Sequence, residues 1–205
     1  MDFVKYFPEL TSEQTSQYSA LQELYADWNS KINVISRKDI DNLYEHHVQH
    51  SLAIARFVEE ELGGWKEGTT IVDVGCGGGF PGIPLAIRYP QCKFLLVDRI
   101  GKKVRVAQEV ANAIGLKNVE FRHAGIEEVK ASFDYAVSRA VMNLPDLLKL
   151  VKRVTKTGLI CLKGGDLTEE MTPAIARSTV TRDISQYFSE EFFETKKVVY
   201  TKIQK

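Results

Sequence analysis

A β-branched segment that runs directly into a glycine-rich turn constrains this chain more than any other feature. Residues 69–74 read TTIVDV, a pattern typical of a buried parallel strand. Five of the eight residues from Gly75 to Gly82 are glycine, so the backbone here can turn tightly and approach a ligand. A strand that leads through such a turn into a helix brings backbone N–H groups to nucleotide-like ligands in α/β proteins.

An acidic residue marks the end of the next predicted strand. Residues 93–97 read KFLLV, and Asp98 follows them, about 20 residues after the glycines. In a doubly wound sheet an acid at this position binds ribose hydroxyls, and adjacent parallel strands place it beside the glycine turn. The two features together predict a nucleoside cofactor site.

The glycines fit two cofactor classes. Gly77, Gly79 and Gly82 satisfy the dinucleotide fingerprint G-x-G-x-x-G. Gly75, Gly77 and Gly79 instead form the G-x-G-x-G loop, led by Asp73, that S-adenosylmethionine enzymes use. The glycine pattern is weak evidence for either class.

Two prolines favour the methyl donor. Pro81 and Pro84 suit a stiff turn and the first turn of a helix, because each fixes φ and lacks an N–H. They fit poorly in a helix whose N-terminal amides must face a pyrophosphate. S-adenosylmethionine carries no phosphate, so we prefer it as the cofactor.

Several segments extend this interpretation to a family. They read DVGCGGGFPGIPLAI, VDRIGKKVRV, FDYAVSRA and ICLKGG, with WNSKINVIS and HHVQHSLAI upstream. Over roughly residues 20–165 the chain resembles the bacterial small-subunit ribosomal RNA methyltransferases of the RsmG (GidB) family. The last forty residues add little to the resemblance. It implies methyl transfer from S-adenosylmethionine to N7 of a guanine in the 530 loop of 16S ribosomal RNA.

Two motifs that other methyltransferases carry are missing from this sequence, which disfavours two other acceptor atoms. Exocyclic-amine methyltransferases often carry an Asn/Asp-Pro-Pro-aromatic tetrad after the fourth strand, whereas residues 143–146 read NLPD. Methylation at C5 of a pyrimidine needs a cysteine nucleophile, commonly preceded by proline, and Cys76, Cys92 and Cys161 are not so placed. A nitrogen with a free lone pair, such as N7 of guanine, remains, and its methylation needs no general base.

Composition is that of one globular domain. The chain has 205 residues, of which 44% are hydrophobic and 26% charged, enough for one substantial core. Because the formal net charge is zero, RNA contact must come from a local basic face. No apolar run reaches transmembrane length, and the N-terminus is unlike a signal peptide. We expect a cytoplasmic protein with no membrane contact, a monomer by default.

Alternating strand-like and helix-like segments predict an α/β fold. We expect a doubly wound, mostly parallel seven-stranded sheet, the class I S-adenosylmethionine-dependent methyltransferase fold. The predicted strands are 69–74, 93–98, 118–122, 133–138, 158–163, 181–188 and 196–204, the last an edge strand. The predicted helices of this domain are 83–89, 102–114 and 144–155. Residues 1–64 are expected to form a helical cap on the methyltransferase domain, 65–205, as one compact unit.

Two helices are predicted in the cap. Thr11 and Gln14 have the spacing of a capping box at the start of the first. Asp39 is expected to cap a second helix that ends near Leu62 and holds His46, His47 and His50.

The histidines have three possible roles. His47 and His50 lie one turn apart, which suits metal ligation, but no partner at motif spacing completes a set and we expect no metal. The helix could instead pack over the cofactor pocket with His50 satisfied locally. The resemblance favours Asn33, His47 and His50 as the border of the substrate cleft.

The other expected site residues follow the strand ends. Those for the cofactor are Asp73, Gly75, Gly77, Gly79, Phe80, Asp98, Ile126, Glu127 and Arg139. Asp98 is assigned to the ribose and Ile126 with Glu127 to the adenine, although Glu127 could simply be an acid at a helix N-terminus. Arg139 and Lys163 are the catalytic candidates: the first to position the guanine or a phosphate, the second to contact RNA or guide loop closure. Each could also be a solvated charge.

RNA contact is expected from basic residues beside the pocket. Arg99, Lys102 and Arg105 are the candidates, with Lys103 pointing elsewhere, and a second basic run lies at 31–38. The substrate would be 16S ribosomal RNA, a 30S subunit or an assembly intermediate. The first alternative is a small-molecule methyltransferase, and the second is a nicotinamide-dependent oxidoreductase or a nucleotide-sensing module.

Overall fold

The computed structural model describes residues 2–203 and forms one mixed sheet. Its strands are β1 (Thr70–Val74), β2 (Lys93–Asp98), β3 (Val119–His123), β4 (Phe133–Arg139), β5 (Thr155–Gly164), β6 (Thr179–Asp183) and β7 (Lys196–Lys202). Their order is β3-β2-β1-β4-β5-β7-β6. The first five strands are parallel, and β7 runs antiparallel to both β5 and β6. The predicted seven-stranded, mostly parallel sheet is confirmed.

Six α-helices connect and cover these strands in the described part of the chain. They are α1 (Ser12–Lys31), α2 (His50–Leu62), α3 (Gly82–Arg88), α4 (Gly101–Ala113), α5 (Leu144–Val151) and α6 (Pro173–Ala176). Short 3-10 turns cover Asp2–Tyr6, Ile40–Asn42, Ile126–Glu128, Ile184–Gln186 and Glu191–Phe193, and a π-helix covers Leu43–Gln49. No helix among residues 2–203 combines the length and the apolar character that a membrane span requires.

Both faces of the sheet are buried. Neighbouring residues of β1 point to opposite faces, so Ile71 packs with α1 to α4 while Val72 packs with α5. Strand order reverses between β1 and β4, so the connections leave these two strands on opposite sides. The crevice at their carboxyl ends is where doubly wound folds bind ligands.

Helix α1 is capped by its own side chains and is fixed to α3 and the glycine turn by two tyrosines. The capping box is confirmed, with Gln14 N donating to Thr11 Oγ1 at 3.2 Å and Thr11 N to Gln14 Oε1 at 3.0 Å. Tyr18 donates to the Pro84 carbonyl at 2.8 Å and Tyr25 to the Gly78 carbonyl at 2.7 Å. The N-terminal helices thus pack directly on the glycine turn. The division into a cap and a methyltransferase domain stays a prediction.

The expected helix from Asp39 to Leu62 is wrong in its first half. The chain there forms a 3-10 turn and a π-helix before α2 begins at His50, and the Asp39 side chain caps no helix. Its carboxylate binds two histidines instead, and π-helical segments frequently occur at functional sites.

The C-terminal strands also differ from the prediction. β7 lies between β5 and β6, so β6 is the edge strand. Val198, Val199 and Tyr200 are all buried, because β7 is covered on both faces. The strand expected at 181–188 is observed at Thr179–Asp183, and the helix expected to reach residue 155 ends at Val151. Residue 204, the end of the last expected strand, lies outside the described residues.

Candidate active site

A cavity of about 960 Å³ opens at the carboxyl ends of the central strands. The glycine turn after β1 forms its floor, and residues that follow β2, β3, β4 and β5 form its walls. The predicted site residues that line it are Gly75, Gly77, Phe80, Asp98, Ile126, Glu127, Arg139, Lys163, His47, His50 and Arg99. Those that do not line it are Asp73, Gly79, Asn33, Lys102 and Arg105.

The glycine turn is tied to the second strand. Gly75 N donates to the Val97 carbonyl at 2.9 Å, and Gly77 N donates to Asp98 Oδ2 at 2.8 Å. The other carboxylate oxygen of Asp98 accepts from Ile100 N at 2.8 Å. Carboxylate oxygens accept more than one hydrogen bond, so Asp98 retains capacity for ribose hydroxyls.

Gly75 can only be glycine at its place in the turn. Its φ is +71°, a left-handed conformation, and a Cβ atom on it would lie 2.5 Å from Cγ2 of Val141. The turn after β1 and the loop after β4 therefore approach each other closely across the cavity.

Asp73 lies beneath the turn. Its side chain is fully buried, and Oδ2 accepts from Gly82 N at 2.7 Å. Burial raises the pKa of Asp73 to about 7. Asp73 therefore supports the turn from below, since it does not reach the cavity.

The start of α3 distinguishes the two cofactor classes. In a dinucleotide site the amides of this helix N-terminus face the pyrophosphate. Here Gly82 N is bonded to buried Asp73, and Ile83 N donates to the Gly79 carbonyl at 2.7 Å. Neither Gly82 nor Ile83 lines the cavity. The helix start is thus committed internally, which disfavours the dinucleotide interpretation.

Arg139 is held at the end of β4 by the π-helical segment. Its Nη1 donates to the His46 carbonyl at 3.0 Å and its Nη2 contacts His47 Nδ1 at 2.8 Å. The guanidinium carbon lies 5.3 Å from the centroid of the Phe80 ring. Burial lowers the pKa of Arg139 to about 10, so the group is charged at neutral pH.

His47 is neutral in this arrangement. Burial and, next, the charge of Arg139 lower the pKa of His47 to about 4. Nδ1 accepts from Arg139, so the proton resides on Nε2, which donates to Asp39 Oδ2 at 2.6 Å. The spacing of His47 and His50 gave no indication of this Asp39–His47–Arg139 relationship, which joins residues far apart in the chain.

A family model described as rRNA small subunit methyltransferase G (GidB) matches residues 14–198. The chain belongs to the GidB family. Ribosomal RNA small subunit methyltransferase G of Bacteroides thetaiotaomicron is 60% identical over 208 residues, which cover 98% of each chain. The protein of the same name from Flavobacterium psychrophilum is 49% identical over 211 residues, covering 99% of this chain and 98% of the relative.

A solved methyltransferase shares the fold. Magnesium protoporphyrin IX methyltransferase from Synechocystis PCC 6803, solved with bound S-adenosylmethionine, superimposes with a TM-score of 0.60 at 14% identity. The match covers 96% of this chain and 99% of that one. As a member of the GidB family, the chain is an S-adenosylmethionine-dependent rRNA methyltransferase.

The site residues of this GidB-family enzyme fit S-adenosylmethionine. The absence of a side chain at Gly75 keeps the turn open, and Asp98 would accept hydrogen bonds from the ribose of a bound cofactor. Ile100 and Ile126 line the same wall as Asp98 and offer apolar surface for the adenine. When bound, the cofactor supplies an activated methyl group on a sulfonium.

The C-terminal segment contributes a part of the site that sequence analysis missed. Phe192 stacks on His46 with ring centroids 3.9 Å apart, and Lys196 Nζ lies 4.8 Å from the centroid of Phe192. Lys196 lines the cavity because β7 is antiparallel, so its first residue lies at the carboxyl end of β5. In the sequence, the feature that could have indicated this part of the site is the lysine pair Lys196-Lys197 at the start of the strand.

The third histidine of the cap, His50, packs against aromatic rings. His50 is buried against the rings of Phe192 and Phe193, and burial holds its pKa well below the usual value. Its Nε2 has no hydrogen-bond partner within the described residues. Residues 2–203 contain no group of three or more His, Cys, Asp or Glu placed to hold a metal ion.

The predicted basic residues divide between the cavity and the surface. Arg99 forms an ion pair with Glu127 at the cavity mouth, so Glu127 is neither free nor a cap for a long helix. Lys103 points away from Lys102 and Arg105, as expected, but it is Lys103 that lines the cavity. Asn33 is exposed outside it.

Proposed function

We propose that this enzyme transfers the methyl group of S-adenosylmethionine to N7 of a guanine in the 530 loop of 16S ribosomal RNA. One observation carries the choice of atom. His47, the imidazole nearest the end of β4, has both ring nitrogens engaged by Arg139 and Asp39. His47 is therefore not available as a general base. An acceptor nitrogen that already presents a lone pair needs no such base, which favours N7 of guanine.

The work left to the protein is alignment. Acceptor nitrogen, methyl carbon and sulfur must lie in line, and such positioning can account for roughly 7–11 kcal/mol of a barrier. Arg139 has five N–H donors, and the bonds to His46 and His47 leave others for the O6 atom of guanine or a phosphate. We assign Arg139 as the catalytic residue on this basis.

The cavity wall supplies a basic path for RNA. Lys103 and Lys196 line it, and neither forms an ion pair with a carboxylate in the part of the chain that the structure describes. Arg37 and Lys38 are exposed on the π-helix side. RNA contact through these groups and through Arg99, Lys102 and Arg105 would weaken steeply with salt. The acceptor is 16S ribosomal RNA, in a 30S subunit or an assembly intermediate, and the enzyme acts as a cytoplasmic monomer.

Mass analysis of the methylated product tests this proposal. Small subunits from cells that lack the gene are incubated with the purified enzyme and S-adenosylmethionine, and the RNA is digested. We expect one new 7-methylguanosine, within the 530-loop fragment. Methylation of another base or another atom would contradict the proposal, as would transfer to small molecules in place of RNA.

A further inference from the structure

The loop that follows β4, residues 140–143, forms one wall of the cavity. Val141 and Met142 line the cavity although they are 38% and 36% exposed. Ala140 has a φ of +52°, the only left-handed non-glycine residue in the described part of the chain. Such backbone persists only where surrounding contacts impose it. We call this segment the rim loop.

Two side chains from β5 and beyond hold the rim loop in place. Lys163 Nζ donates to the Met142 carbonyl at 2.8 Å and to Glu170 Oε2 at 2.6 Å. The same Glu170 oxygen accepts from Leu144 N at 2.5 Å, directly after the loop. Side-chain exposures of 13% for Lys163 and 26% for Glu170 keep this charge-assisted network largely out of water.

The network holds the C-terminal end of the loop at two backbone groups. Leu144 N is the first amide of α5 and has no partner within the helix, so the Glu170 carboxylate satisfies it where the helix dipole favours negative charge. The Met142 carbonyl, two residues earlier, is fixed by Lys163. Val141 and Met142 lie immediately before these bonds and line the cavity together with Arg139.

We propose that Lys163 and Glu170 are a positioning pair, which fixes the rim loop so that Val141 and Met142 form the apolar platform for an unstacked purine of the RNA. The inference rests on the proposed function and deepens it. Enzymes that modify a base take it out of the stack and hold it against apolar or aromatic side chains. Apolar side chains exposed at a cavity mouth fit the face of such a base.

Lys163 thereby acquires a role different from direct RNA contact. Its ammonium group is committed to a carbonyl and a carboxylate, and it acts through the loop. Glu170 has no counterpart in the sequence-based site, because nothing in its local sequence shows that the chain after β5 returns to the rim loop.

Substitution of Glu170 tests the pair, with the neighbouring exposed Glu169 as matched control. We expect Glu170→Ala to lower kcat/KM for 30S subunits by about tenfold or more, with the KM for the subunit raised. Affinity for S-adenosylhomocysteine by calorimetry should change less than about twofold, since the Glu170 carboxylate bonds to Lys163 and Leu144 and not to the glycine turn or Asp98. Glu170→Gln, which retains an acceptor oxygen, should recover part of the activity, and Glu169→Ala should resemble the parent. Equal activities of Glu170→Ala and Glu169→Ala would overturn the proposal.

A double-mutant cycle separates positioning from RNA contact. If the pair acts as a unit, Lys163→Met, Glu170→Ala and the double variant lose about the same activity. If Lys163 touches RNA itself, its substitution costs far more than that of Glu170 and the effects add, which overturns the proposal. These activity ratios can be measured with any RNA that the enzyme methylates. The positioning pair can therefore be refuted while the assignment to N7 in the 530 loop stands, and the reverse.

The platform is tested in the same assay. Met142→Leu should retain most activity, whereas Met142→Ser should raise the KM for the subunit without changing affinity for S-adenosylhomocysteine. Equal KM values for the two variants would contradict the platform. Should Glu170→Ala fail to fold, as judged by its thermal melt, Lys163→Met with the Met142 pair decides the question.

Discussion

Arg139 and His47 meet across 2.8 Å, guanidinium nitrogen to Nδ1, and this contact is possible only with a neutral imidazole. An imidazolium would place a second donor and a second positive charge against Arg139. Asp39 on the far side of the ring receives the Nε2 proton and so fixes the tautomer. The orientation of Arg139 in the cavity therefore depends on an acid that directly precedes the 3-10 turn at Ile40–Asn42.

Asp39→Asn should lower activity by about tenfold, because an amide cannot accept hydrogen bonds from both His46 and His47 and Arg139 loses its fixed partner. kcat/KM for methylation of 30S subunits measures the effect. Asp41→Asn provides the control, since Asp41 is exposed two residues away. Equal activity of the two variants would show that the histidine does not orient Arg139.

The neutral state of His47 predicts a pH-dependent stability. Its pKa is about 4 in the folded enzyme and near 6.5 when unfolded, so the unfolded chain binds more protons between these values. The contribution of His47 is therefore constant above pH 6.5 and destabilises the fold by about 1.4 kcal/mol per pH unit as the pH falls toward 4.

Asp73 has the opposite sign throughout this range, because its pKa is raised from 3.8 to about 7 and it therefore stabilises the fold as the pH falls. The contribution of His47 is hence isolated by measuring the unfolding free energy of the enzyme and of His47→Asn at pH 7 and at pH 5. We expect the variant to be less stable than the enzyme by a smaller amount at pH 5 than at pH 7. A difference independent of pH would show that His47 titrates normally.

Gly75→Ala should weaken cofactor binding, because the new Cβ would lie 2.5 Å from Val141 Cγ2 and the alanine would have to adopt a left-handed conformation. Gly68→Ala separates these causes: Gly68 has a φ of +79° and nothing within 4 Å of its Cβ position. Both should lose about 1–2 kcal/mol of stability from backbone strain. Only Gly75→Ala should weaken affinity for S-adenosylhomocysteine by more than about tenfold in calorimetry. Similar affinities would place the cofactor away from the turn.

Lys196→Gln should weaken RNA binding and reduce the slope of log affinity against log salt by about one phosphate contact. Lys202→Gln, at the other end of β7 and exposed, is the control. Affinity for S-adenosylhomocysteine should be the same in both. An unchanged salt slope for Lys196→Gln would remove Lys196 from the RNA path.

Local patterns predicted residues that the structure brings together at the cavity, although their role in cofactor binding stays a prediction. Asp98 and Gly77, named from the strand ends and the glycine pattern, are hydrogen-bonded in the structure. Parallel strands bring their carboxyl ends together, so the acid after the second strand was expected beside the glycine turn after the first. The same reasoning placed Arg139 at the cavity.

The acceptor half depends on contacts that no local pattern encodes. His47 reaches Arg139 across 92 positions, and Glu170 returns to Leu144 from beyond β5. Lys196 enters the cavity only because β7 lies inside the sheet and runs antiparallel to β5. Alternation within β7 indicates a strand, but its neighbours decide which end faces the site.

A crystal structure with S-adenosylhomocysteine tests the central claim most directly. The adenosyl group should occupy the cavity at the carboxyl ends of β1 and β2, with its ribose hydroxyls hydrogen-bonded to the Asp98 carboxylate. Its sulfur should lie between the turn at Gly75 and the guanidinium of Arg139. A ligand whose ribose is bound elsewhere, or whose sulfur faces away from Arg139, would contradict the proposed site.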